Sequence, residues 1–322
     1  MYDEIVALLQ EGHPDAPRVK NRNGDEIGLD LEEAKLRLLD LCLKNGVYVY
    51  LQTPVVAPVL EGRRVTGLQI CTPQGLETLS AHAVVDATGD GFVAALAGAP
   101  YEVGRADGRC QPATLEFTVD NVDEGPHFAC YGGSDPMTLP DGRRYSEVCK
   151  EACARGELPE NVSIVRIHYT LHPGERSINA TQANGFDTLT PEGAVGADYL
   201  LRRQVEPILA FLRKYAPGFA NCRLRSTATA LGVRESRRFV GEYVLSDQDV
   251  EKGARFPDVV VHRAWFRSIS TIPPAAARRS AIPSPRRPTI FPTAAWCPCR
   301  RTGCCCRAAT FPALTGPMLL IA

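Results

Sequence analysis

Apolar residues recur at Leu31, Ala34, Leu38, Leu41 and Cys42, the spacing of one helical face. Asp30 stands before the run and Glu33 follows three residues later, the pattern of a capping box. Lys44-Asn45-Gly46 adds a basic last turn and a left-handed stop, so a helix is predicted over 31–44. The β-branched and aromatic run at 47–51 predicts a strand. Residues 55–60 and 65–71 flank Glu61-Gly62-Arg63-Arg64 and predict a hairpin, and 76–79 a further short strand. The apolar run at 83–86 predicts a buried strand returning to the main sheet. Past Pro100 the periodicity weakens. Strands are predicted over 114–119, 162–169 and 224–231, and helices over 146–154 and 198–215. Pro207 is placed either to kink the second helix or to open it after a break, and Ser246-Asp247-Gln248-Asp249 starts a short helix. No internal repeat is present.

The strand at 83–86 runs into Asp86-Ala87-Thr88-Gly89-Asp90-Gly91 and then an alanine-rich segment of helical character. A strand that breaks on small residues before a helix lets a ligand approach bare main chain. An ordinary tight strand-to-helix turn is the alternative reading of the same residues.

At 322 residues the chain is long for one domain, and two are expected. No apolar run approaches the ~18 residues of a membrane-spanning helix. The acidic, amphipathic start, MYDEIVALLQEGHPD, does not resemble a signal peptide, so a cytoplasmic location is expected. The net charge of −1 hides an asymmetry, with −9 before residue 266 and +8 after it. Residues 266–322 hold eight Arg, no Lys and no acid, and carry Cys297, Cys299, Cys304, Cys305 and Cys306. An acidic body joined to an Arg/Pro/Cys-rich tail reads as two sequences of different origin.

The order helix, strand, hairpin with Val65-Thr66-Gly67, strand, then D-A-T-G-D-G-x-V-A-A-x-A-G-A-P resembles a bacterial FAD-dependent oxidoreductase family related to the flavin subunit of heterodisulfide reductase. The resemblance continues through Gln111-Pro112-Ala113-Thr114-Leu115 and L-G-V-R-E-S-R-R at 231–238, and ends in V-G-E-Y-V-L-S at 240–246. Phe92 departs from it, since the family more often has Asp there. The resemblance implies FAD as cofactor, contacted by Ala87, Thr88, Gly89 and Asp90, with the adenine read by backbone around Val55 and Val56. It implies an α/β fold: an incomplete FAD-binding Rossmann-like domain over 1–110, an inserted mixed-sheet substrate or cap domain over 111–220, and a return to the FAD-binding domain over 221–265. Some relatives are iron–sulfur proteins, but this chain shows no ligand set for a cluster.

Two parts that the family needs are missing. No G-x-G-x-x-G turn occurs, because residues 1–30 hold only Gly12, Gly24 and Gly28. The chain therefore reads as N-terminally truncated. The C-terminal flavin-binding segment is also missing. Re-reading codons in another frame lets residues 289–299 spell Y-D-I-P-Y-G-C-L-V-P, 310–322 spell I-S-G-T-H-R-A-H-A-S-Y-R, and 266–273 spell P-I-D-I-H-N-P. All three resemble the family's C-terminal segments in the expected order. A frame change near Trp265-Phe266 is inferred, with 266–322 an out-of-frame tail expected to be disordered and the chain an impaired fragment. A strand edge beside 83–86 is expected to stand open.

Other constellations are weaker. The tail cysteines lack the C-x₂-C spacing of metal sites, and the tail's Arg pairs lack interleaved aromatics, so neither metal nor nucleic acid is an expected partner. Cys149 and Cys153 read as two thiols on one helical face, and His168 and His172 as surface histidines. Arg234, Glu235 and Arg237 are candidates for clamping an anionic substrate or stabilising reduced flavin, with a junctional ion-pair network as the alternative. Asp86 can cap the turn that follows it. No Ser/His/Asp or paired-carboxylate arrangement is visible, so no catalytic residue is assigned. The functions kept open are a flavin oxidoreductase with a small-molecule substrate and an electron-transfer partner, or a non-catalytic subunit docking a separate dinucleotide-binding chain. A basic tail binding nucleic acid or metal is the weakest.

Overall fold

The computed structural model describes residues 2–13, 16, 18–21, 24–133, 135–264, 289–292 and 318–321. In chain order the elements are α1 (Tyr2–Leu9), β1 (Arg18–Asn21), β2 (Gly24–Ile27), α2 (Leu31–Lys44), β3 (Val55–Glu61), β4 (Arg64–Thr72), β5 (Gly75–Ser80), β6 (Ala83–Asp86), α3 (Phe92–Leu96), β7 (Tyr101–Val103), β8 (Phe117–Asp120), α4 (Tyr145–Ala154), β9 (Arg166–Tyr169), β10 (Arg176–Asn179), α5 (Pro191–Tyr215), β11 (Arg223–Thr227), β12 (Arg237–Phe239), α6 (Asp247–Lys252), β13 (Val259–Ala264), β14 (Thr289–Pro292) and β15 (Met318–Ile321). The fold is mixed α/β. The described chain divides into two compact units. One holds Met1–Val49 and Cys110–Arg234, and the other holds Tyr50–Arg109 together with the described residues from Glu235 onward.

The first unit is built on an antiparallel sheet in the order β11-β8-β10-β9. Phe117, Val119, Ile167 and Ile178 alternate onto one face and are fully buried. They join one cluster with Tyr145, Val148, Cys149 and Ala152 of α4 and Ile208, Leu209 and Leu212 of α5. Burial pushes the Cys130 thiol up to about 12 and the Cys149 thiol up to about 11, so both behave as packing groups. The polar residues alternate onto the other face, where the hydroxyls of Thr118 and Ser226 lie 2.7 Å apart. Arg176 is buried, its guanidinium held by both oxygens of Glu124 (2.8 and 2.7 Å) and stacked over Tyr169 at 4.1 Å.

Helix α5 starts at an N-cap Thr190 that accepts from the Gly193 N–H, with Pro191 in the first turn. Pro207 neither breaks the helix nor opens a new one; it lies inside a continuous run to Tyr215. The carbonyl it leaves without a donor belongs to exposed Arg203, where water can replace the lost bond. Helix α2 has the predicted boundaries, and Asp30 accepts from the N–H groups of Glu32 and Glu33 (2.9 and 3.0 Å). Glu33 does not reach back to complete a capping box. Its carboxylate is drawn instead to Arg37 (2.8 Å) and His13 (3.1 Å). Gly46 takes the left-handed turn at φ +72. No residue of α2 is buried. The strand expected over 47–51 does not form, because no described strand supplies it with a ladder, and Tyr48 and Leu51 stand 90% and 67% exposed.

In the second unit β3, β4 and β5 form the predicted antiparallel meander, turning at Gly62 with φ +60. Val65, Leu68 and Ile70 of β4 pack with Val84 of β6 and Val93, Ala94 and Ala97 around α3. Strand β6 does not hydrogen-bond to this sheet. Its partner is β15, parallel, with Ala83 opposite Met318 and Asp86 opposite Ile321. Strands β7 and β12 pair antiparallel, as do β13 and β14. Most of the Arg/Pro/Cys-rich tail, including the inferred frame junction and all five tail cysteines, lies outside the described residues. Among the described residues no helix is long and apolar enough to cross a membrane, and no group of three or more His, Cys, Asp or Glu could hold a metal ion.

Candidate cofactor-binding loop

The loop after β6 is tied down from its own first residue. Asp86 Oδ1 accepts from the Thr88 hydroxyl (2.7 Å) and the Thr88 N–H (3.2 Å), and Oδ2 accepts from the Ala94 N–H in α3 (2.8 Å). Asp86 therefore caps the turn, as its position at a strand end allows. The Thr88 oxygen accepts in turn from the Phe92 N–H (3.2 Å). With its hydroxyl committed on both sides, the Thr88 side chain shapes the loop, and any hold on a ligand falls to the backbone.

That backbone is open where it needs to be. Gly89 sits at φ +83 with nothing within 4 Å of where a Cβ would lie. Ala87 beside it is exposed. Among the described residues the N–H groups of Gly89 and Asp90 make no hydrogen bond. Gly91, at φ +62, faces the Phe239 ring so closely that a Cβ would collide with it. The two glycines thus answer to different needs, one beside open space and the other against an aromatic ring.

The segment 235–239 supports this loop. The Ser236 hydroxyl donates to Asp90 Oδ1 (2.6 Å), and Arg237 Nη1 donates to the Asp90 carbonyl (3.2 Å). Arg237 also lies 5.4 Å over the Tyr101 ring, and Tyr101 meets Phe239 edge-on at 5.6 Å. Asp90 and Arg237, named on separate sequence grounds, are therefore brought together. Glu235 stands 3.7 Å from Arg238, which is bound to Glu102 at 2.7 Å. Arg234 belongs to the other unit. Val56 lies on the exposed face of β3, outside the loop's hydrogen-bond network, while its neighbour Val55 packs against the cluster containing Val93 and Ala94. Ser236 was not singled out from sequence. Its partner is 146 residues away, and no spacing rule links the two.

An FAD pyrophosphate needs donors that approach without side-chain interference, and the N–H groups at Gly89 and Asp90 meet that requirement. The residues present fit the group.

The chain matches the family described as FAD dependent oxidoreductase over residues 1–275. No curated protein matches it. Among solved structures it is similar to a geranylgeranyl bacteriochlorophyll reductase-like protein from Thermoplasma acidophilum at 16% identity, TM-score 0.41, covering 68% of this chain and 47% of that one. It is also similar to L-proline dehydrogenase from P. horikoshii at 14% identity, TM-score 0.37, covering 77% and 49%. The myxobacterial chondrochloren halogenase CndH follows at 14% identity, TM-score 0.41, covering 75% and 53%. The chain spans about half the length of these structures. With the match running through the loop, its supporting segment and most of the sequence, the chain belongs to the FAD-dependent oxidoreductase family, and its cofactor is FAD.

Proposed function

We propose that this chain takes part in flavin-mediated electron or hydride transfer to or from a small molecule, with FAD lying against the backbone at 87–91. The observation that carries this reading is a loop whose Gly89 and Asp90 N–H groups make no hydrogen bond among the described residues, while Ser236 and Arg237 hold it through Asp90. FAD would supply the redox chemistry when bound. The protein's part is to offer fixed donors and to keep side chains out of the approach. Arg237 serves this reading by positioning Asp90, and Arg234 and Glu235 remain substrate candidates. The test is visible absorption of the purified chain after incubation with FAD and gel filtration. Flavin bands are expected for the parent and none for Gly89→Val, with far-UV circular dichroism unchanged. Equal flavin in both would overturn the loop assignment.

A second reading has its own support. The leucines of α2 and the apolar residues at 47–51 are exposed in number. A non-catalytic subunit that docks a separate dinucleotide-binding chain would cover them. Co-expression with a neighbouring reading frame that encodes a G-x-G-x-x-G unit should then give a yellow complex, and recovery of the two products apart would end this reading.

A further inference from the structure

Several arginines among the described residues are ion-paired: Arg37 with Glu33, Arg176 with Glu124, Arg202 with Asp198, Arg238 with Glu102. Arg166 differs. It is half-buried on β9, and its side chain makes neither hydrogen bond nor ion pair among the described residues. The strand register shows where it stands. Arg166 lies opposite Asn179 and His168 opposite Ser177. Ser177 in turn lies opposite Thr118. The intervening Phe117, Ile167 and Ile178 are those buried under the helices, so these five polar residues share the opposite face of the sheet. Tyr131 adds an aromatic edge, its ring 5.2 Å from that of His168.

Two carboxylates near this face accept hydrogen bonds from neutral donors. Glu116 accepts from Asn179 Nδ2 at 2.7 Å. Asp135 accepts from the N–H groups of Tyr131 and Gly132. Burial disfavours the charged form of Arg166, and the neighbouring charge of Arg234 adds to this, while Cys130 and Asp135 act in the opposite direction. Arg234 is exposed and likewise has no ion-pair partner among the described residues. A half-desolvated guanidinium beside a second cation costs free energy that a bound anion would recover.

We propose that this polar sheet face, with Arg166 and Arg234 as its cations and Ser177 and His168 beside them, is a binding site for an oxyanion borne by an organic carboxylic acid or a phosphate ester. As the place where an oxidoreductase recognises its substrate it rests on the flavin reading; as an anion site it does not.

The experiment is isothermal titration of the full chain, without added flavin, with succinate and separately with glycerol phosphate. Binding of either is expected, and the stronger of the two identifies the source of the oxyanion. Arg166→Gln and Arg234→Gln should each weaken it by about tenfold or more, the loss expected for one charge-assisted contact. Arg166→Lys should restore part of the binding. Arg64→Gln, an exposed arginine on β4, should change nothing. Binding by neither anion, or equal binding by the parent and both glutamine variants, overturns the proposal. Arg234 is exposed, so its variant reads the site even if Arg166→Gln folds poorly. Flavin retention is scored separately by absorption. An anion-binding chain that holds no FAD supports the site and defeats only the flavin reading.

Discussion

Helix α5 buries Ala197, Leu201, Val205, Ile208, Leu209, Phe211 and Leu212 against its own unit. Helix α2 carries leucines at helical spacing too, yet buries no residue and leaves Leu31, Leu36, Leu38 and Leu43 exposed. Apolar periodicity states which face of a helix calls for cover, and says nothing of whether cover is at hand. For α5 the cover is the apolar side of the four-stranded sheet. What secures α2 is local: the Asp30 cap, the Glu33–Arg37 pair one turn apart, and the Arg37 bond to the Leu8 carbonyl of α1 (2.8 Å). Each local device is worth far less than the burial that α5 enjoys.

The sharpest way to break this contrast is to empty the α5 interface. Phe211→Ala removes a fully buried ring that meets Tyr145 and Tyr215, and should cost about 3–5 kcal/mol in urea unfolding. A loss under about 1 kcal/mol would show that α5 does not carry its unit. A smaller effect comes from acid. Arg176 beside Glu124 holds that carboxyl down to about 2 from 4.5, so the ion pair stabilises the fold above pH 4.5, and the contribution fades as pH falls toward 2. Solvent reaches part of Glu124, so the discounted contribution is about 1–2 kcal/mol. Glu124→Gln should flatten the stability profile across that window, and an unchanged profile would remove the pair from the account. The smallest effect belongs to α2. Leu36→Ser with Leu43→Ser should change stability by no more than about 0.5 kcal/mol, while reducing binding of a hydrophobic dye. A large destabilisation would mean that these leucines are covered after all.

Local signals in the sequence were readable where one short segment contains its own reason. Asp30 and Gly46 bound α2, Gly62 turns the β3–β4 hairpin, and Ser246 with Asp249 forms a complete capping box on α6. The 86–91 loop belongs to this class, since its small residues and its capping Asp86 are contiguous. What escaped depends on residues far apart in the chain. Strand β10 reads poorly because its Arg176 is an unlikely core residue until Glu124, 52 residues earlier, is known to meet it. The run at 47–51 is composed like a strand, but a strand is completed by a neighbour that composition does not show. The R-E-S-R-R stretch advertised charge, and its clearest structural work is done by the uncharged serine in its middle.

The parallel pairing of β6 with β15 has a consequence for biosynthesis. The strand that delivers the cofactor loop is made long before the strand that pairs with it. Until then the loop's support has one unsatisfied side, and long-range closure of this kind is slow. A chain in which β15 has not yet docked would present β6 as an open template to any passing strand.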